Sequence, residues 1–85
     1  MKIHELKIEY KYYQEIKSLR KKFEVRKNDR DFKEGDFIIF KSISNIDESI
    51  STEHILYRIG YVLNDFEGLA QGYVAFTVNA TGLRV

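Results

Sequence analysis

The sequence predicts an α+β fold that is mostly β, a small antiparallel barrel of about five strands with one main helix after the first strand. Three observations carry that expectation. Several stretches alternate apolar and polar residues with period two, and a single segment from Tyr10 to about Leu19 switches to helical spacing. A chain of 85 residues also buries too little surface to sustain two separate cores, so one domain is expected over residues 1–79, with a short tail over 80–85.

Residues 3–8 place His4, Leu6 and Ile8 on one side of an extended segment, a short first strand. In the helix that follows, about 100° per residue puts Tyr12, Ile16 and Leu19 in one stripe facing the core, with Tyr13 at its edge. Tyr10, Gln14, Lys17 and Lys21 then share the outward side. Phe23-Glu24-Val25-Arg26 alternates, which suggests Phe23 and Val25 on the core face and Glu24 beside Arg26 on the other. Asn28, Asp29 and Asp31 favour turns through side chain to backbone hydrogen bonds, so residues 27–35 read as a loop.

Phe37-Ile38-Ile39-Phe40 is apolar at both parities, as in a strand covered on both faces. Residues 42–53 have isolated isoleucines and no sustained period, the pattern of a long connection. Ile55, Tyr57, Ile59, Tyr61 and Leu63 alternate over a long strand in which Gly60 suggests a bulge or bend. The next loop, 64–72, carries Phe66 and Leu69, expected to tuck against the barrel end. Val74, Phe76 and Val78 mark the closing strand, after which Asn79-Ala80-Thr81-Gly82 breaks the pattern.

Charge is distributed unevenly. Between Lys17 and Lys33 eight cations stand against three anions, a local net charge of +5, whereas residues 34–85 hold three cations against seven anions, or −4. A near-neutral total therefore conceals a polarised molecule, and one face is suited to an anion. There is no cysteine, which excludes disulfides and thiolate metal sites and fits a reducing cytoplasm. His4 and His54 lie far apart without carboxylates at ligand spacing, so no metal and no cofactor are expected, and His4 reads as structural, bonded to the basic loop. No apolar run is long enough to span a bilayer, and the first residues lack the apolar centre of a signal peptide, so a cytoplasmic protein without membrane contact is expected. Phosphate loops and nucleophile elbows are also missing.

Around the basic stretch the chain resembles the ASCH domains of the PUA-like superfamily, whose signature G-x-K-x-x-E-x-R runs from a helix end into a strand. Here it reads Leu19-Arg20-Lys21-Lys22-Phe23-Glu24-Val25-Arg26. Within that superfamily the chain is similar to a branch of small uncharacterised bacterial and phage proteins in three blocks, His4 to Lys7, Phe23 to Phe32 and Gly68 to Val74. The motif's glycine is replaced by Leu19, so the turn that glycine eases has to be made another way.

The resemblance implies binding of RNA or a modified nucleotide in a cleft beside the barrel. On that reading Lys21, Glu24, Arg26, Lys27 and Arg30 form the site, with Tyr10 as a stacking platform and Asn28 and Asp29 shaping the loop. Arginine can grip a phosphate or base edge while a neighbouring carboxylate accepts from a base amine. One ASCH branch resembles small amidohydrolases that deacetylate acetylcytidine with the motif lysine, a threonine three positions later and a separate glutamate. Lys21 stands at the first position, Glu24 replaces the threonine, and Glu67 is a candidate for the third. No catalytic residue is assigned beyond Lys21 in that case. A lysine acts as a base only when its surroundings favour the neutral form; Arg20 and Lys22 act in that direction and Glu24 against it. A third reading is a module that binds a protein partner. The simplest reading of the basic stretch is a solvated turn, and of Glu24 with Arg26 an exposed ion pair.

Overall fold

The computed structural model describes residues 1–44 and 49–85. Strand β1 (Ile3–Glu9) buries every second residue, His4, Leu6 and Ile8. It leads directly into helix α1 (Tyr10–Lys17), which packs on β1 and on β3 (Phe37–Ile43). With β2 (Phe23–Lys27), β4 (Ile50–Leu63) and β5 (Tyr73–Arg84) the strands form one sheet in the order β1-β3-β4-β5-β2, curled into a half-barrel. Three of the four pairings are antiparallel; β1 and β3 run parallel, with α1 and β2 in the crossover between them. The small, mostly β fold with one helix after the first strand is the one expected.

The core lies in the concavity of the sheet beneath α1. Ile38, Phe40, Ile59 and Phe76 are almost fully enclosed. Phe32, in the loop after β2, is 4 % exposed, and its ring lies between His4, at 4.8 Å, and Phe76, at 5.0 Å. A loop aromatic thus fills the side of the half-barrel where β1 and β2 do not pair.

Several expectations are corrected. In α1 the buried residues are Tyr13 and Ile16, while Tyr12 and Leu19 are 44 % and 56 % exposed. The helix ends before Leu19, which has φ 65°. On β2 the faces are reversed: Glu24 is 4 % exposed, and Phe23 and Val25 point outward at 53 % and 49 %. The register explains this, because Glu24 and Arg26 pair with Phe76 and Val74, both buried, and cross-strand partners share a face. Tyr61 is exposed because the β4–β5 register shifts between Ile59 and Val62, so Val62 turns inward in its place. Gly60 sits in that shift, where an added Cβ would lie 2.4 Å from Thr77 Oγ1. Phe66 is exposed rather than tucked in.

The connection expected over 42–53 is shorter, since β3 reaches Ile43 and β4 begins at Ile50; residues 45–48 lie outside the described residues. The break expected after Val78 and the separate tail over 80–85 are replaced by a continuation of β5 to Arg84. Ala80, Leu83 and Arg84 pair with Tyr57, Leu56 and Ile55, and Thr81 Oγ1 donates to the Leu56 carbonyl.

Candidate functional site

Helix α1 is stopped by a left-handed residue. Leu19 N–H donates to Ile16 O at 3.1 Å and Arg20 N–H to Glu15 O at 3.0 Å. These are the two bonds of a Schellman motif, with Leu19 at the position usually held by glycine. The turn that was expected to need another solution is the ordinary one, made with leucine in the left-handed conformation. It directs Lys21 back toward the start of β2.

There Lys21 Nζ donates to Phe23 O at 2.7 Å and to Glu24 Oε1. Arg26 Nε donates to Glu24 Oε2 at 2.7 Å, so both carboxylate oxygens of this buried residue hold a cation. The unused hydrogens of Arg26 reach across the gap between the two edge strands, Nη2 donating to Lys7 O at 3.0 Å. Arg30 Nη1 does the same to Glu5 O at 3.0 Å. Glu5 and Lys7 present their carbonyls on the edge of β1 away from β3, so the two arginines close the half-barrel where no strand pairing does.

Above this cluster lies a cleft of about 560 Å3 lined by Lys7, Tyr12, Lys21, Phe23, Glu24 and Arg26, among others. The Lys21 ammonium stands 5.8 Å from the Tyr12 ring centre and 5.1 Å from that of Phe23. Two exposed aromatic residues therefore stand close to Lys21, itself one of the two cations on the buried Glu24 carboxylate.

Of the residues singled out in the sequence, Lys21, Glu24 and Arg26 meet in this seam between β1 and β2, and Arg30 braces it. Lys27 does not join them: it is not among the residues that line the seam, and it has no side-chain bond among the described residues. Tyr10 lies on the other flank of α1, its hydroxyl accepting from Gln14 Nε2 at 3.0 Å, and lines a second cleft with Tyr13, Lys17, Ser42, Ser51 and Glu53. The aromatic residues of the seam are Tyr12 and Phe23, both missed because the helical stripe and the strand alternation assigned them to the core. Asn28 Oδ1 accepts the Phe32 N–H at 3.0 Å and so holds the loop; Asp29 is exposed. Glu67 lines a separate cleft of about 680 Å3 with Asn28, Phe66 and Tyr73, away from Lys21.

Two further polar groupings lie outside the seam, the first of them buried. His4 Nε2 and Asp36 Oδ2 lie 2.8 Å apart, and Asp36 also accepts the Lys2 and Lys33 N–H groups, each at 3.2 Å. Burial pushes the Asp36 carboxyl up, but the His4 imidazole and the two N–H groups outweigh it and hold the carboxyl below its ordinary value. In the second cleft Glu53 takes Lys17 Nζ at 2.9 Å and Tyr13 O–H at 2.8 Å, which lower its carboxyl. Burial, helped by Glu53, raises the Tyr13 phenol.

Fold and site together define a small half-barrel domain with a cation-bearing, aromatic-rimmed cleft between its two sheet edges. The chain belongs to the DUF3850 family, a domain of unknown function whose model matches residues 3–78. No curated protein matches it.

Proposed function

We propose that this chain is an RNA- or nucleotide-binding module of the ASCH type, in the PUA-like superfamily, and that its ligand lies in the seam between β1 and β2. The observation that carries this reading is the pair of exposed aromatic residues, Tyr12 and Phe23, whose ring centres lie 5.8 and 5.1 Å from the Lys21 ammonium, in a cleft also lined by Lys7 and Arg26. Aromatic rings offer stacking faces to a base, and the cations offer contacts to phosphate. Glu24 has both oxygens engaged, so it orients Lys21 and Arg26 rather than accepting from a base amine. Lys21 likewise has acceptors for its protons, which favours a binding role for it over that of a base.

The test must spare the buried cluster, because removing Lys21 or Arg26 disturbs the fold as well as the site. Tyr12→Ala removes an exposed ring and leaves the cluster whole. Fluorescence anisotropy with labelled single-stranded RNA and DNA, at about 50 and about 200 mM salt, is expected to give binding that weakens with salt and prefers RNA. Tyr12→Ala is expected to weaken it by about ten-fold. No binding at either salt, or binding indifferent to Tyr12→Ala, would overturn the proposal.

A further inference from the structure

Helix α1 has a cleft on each flank. Tyr13 and Ile16 face the core, so at about 100° per residue Lys11 stands on the crest opposite the core, with Tyr10 and Tyr12 on its two sides. Tyr12 faces the seam cleft; Tyr10 faces the second cleft, of about 410 Å3. Tyr10 and Tyr12 are 51 % and 44 % exposed, and the Lys11 side chain between them is 67 % exposed. Lys11 Nζ lies 4.9 Å from the Tyr12 ring centre and 3.6 Å from Glu9 Oε2.

The two clefts differ in chemistry. In the second, Lys17 and Glu53 neutralise one another, and what remains is one exposed ring with the Tyr10 and Ser51 hydroxyls and the Gln14 amide. A neutral, hydroxyl-rich wall with one stacking face suits a nucleoside, whereas the seam, where Lys7, Lys21 and Arg26 stand against Glu9 and Glu24, keeps a net positive charge that suits phosphate as well. The helix separating them is about 10–12 Å across with its side chains, a span that one nucleotide does not cover.

We infer that the ligand is a single-stranded polynucleotide that crosses over α1, with one base in the seam against Tyr12, one or more linking nucleotides whose phosphates lie on Lys11 at the crest, and a further nucleoside, beyond the reach of a dinucleotide, in the cleft against Tyr10. This rests on the nucleic-acid reading of the seam and specifies its ligand: a strand rather than a free nucleotide.

Octauridylate and diuridylate, each labelled, distinguish the possibilities when titrated against wild type, Tyr10→Ala, Lys11→Gln and Tyr12→Ala. All three side chains are exposed, and unchanged far-UV circular dichroism checks that the variants fold. The octamer is expected to bind at least about ten-fold tighter than the dimer. Tyr10→Ala and Lys11→Gln should each weaken the octamer by about five- to ten-fold while leaving the dimer unchanged, and Tyr12→Ala should weaken both. If Tyr12→Ala weakens both oligomers but Tyr10→Ala and Lys11→Gln change neither, the crossing path is wrong and the seam reading stands. Failure of both oligomers to bind overturns the two together.

Discussion

Glu24 is the side chain through which the seam is assembled, since Lys21 and Arg26 both terminate on its carboxylate. Removing that carboxylate leaves two partly enclosed cations without their partner. Glu24→Ala is expected to lower the unfolding free energy by about 3 kcal/mol, while Phe23→Ala, on the exposed face of the same strand, should cost less than about 1 kcal/mol. Urea denaturation at neutral pH measures both, and a larger loss for Phe23→Ala would mean that β2 presents its other face to the core. Asp36 makes a pH-dependent contribution. Its carboxyl is held below its ordinary value, so its stabilisation is complete above the unfolded pKa of about 3.9 and is lost as pH falls through the lower folded value. The stability difference between wild type and Asp36→Asn should therefore be present near neutral pH and shrink below about pH 4. A difference that does not change with pH would assign the effect to packing instead of charge.

At the scale of elements, the junction from α1 to β2 governs the site, because it sets the direction from which Lys21 approaches Glu24. Its cost is concentrated in Leu19, a branched residue at φ 65° whose side chain is more than half exposed. Leu19→Gly is expected to stabilise the chain by about 0.5–1 kcal/mol, relieving left-handed strain at little loss of packing. Thermal melting should register this as a rise of several degrees, given about 4–8 °C per kcal/mol for a domain of this size. A fall would show that the leucine side chain contributes more than its backbone conformation costs. The elements also show where pattern is informative. In β1 and β5 the buried sets His4, Leu6, Ile8 and Val74, Phe76, Val78 follow the alternation directly. In β2 the alternation is equally clear and its assignment is inverted, because five residues reveal two unlike faces without saying which one meets the core. Along β4 the irregularity between Ile59 and Val62 changes parity part-way, so Tyr61 is exposed despite its place in the apolar series.

For the molecule as a whole, the separation of charge is the property that bears most on binding. The stretch from Lys17 to Lys33 carries +5 and residues 34–85 carry −4, so an anionic strand approaching the seam is attracted from one side and repelled from the other. This is why the nucleic-acid reading predicts a steep loss of affinity between about 50 and about 200 mM salt, through release of counterions. The curled sheet also leaves β1 and β2 as edges that approach without pairing, and Arg26 and Arg30 occupy carbonyls that an added strand would otherwise use. Cleft and closure thus arise from the same residues.

The sequence by itself determined the strand-rich class, the position of the single helix, most of the buried set, and the basic stretch containing Lys21, Glu24, Arg26 and Arg30. These follow from local periodicity and charge, which depend on neighbours along the chain. Only the tertiary structure decided that Glu24 lies beneath Lys21 and Arg26, that Tyr12 instead of Tyr10 faces the seam, that Lys27 does not line it, and that β5 continues to Arg84. Adjacent aromatics such as Tyr12 and Tyr13 differ by about 100° on the helix. Which of them is buried depends on where β1 and β3 lie beneath it, just as the faces of β2 depend on its register with β5.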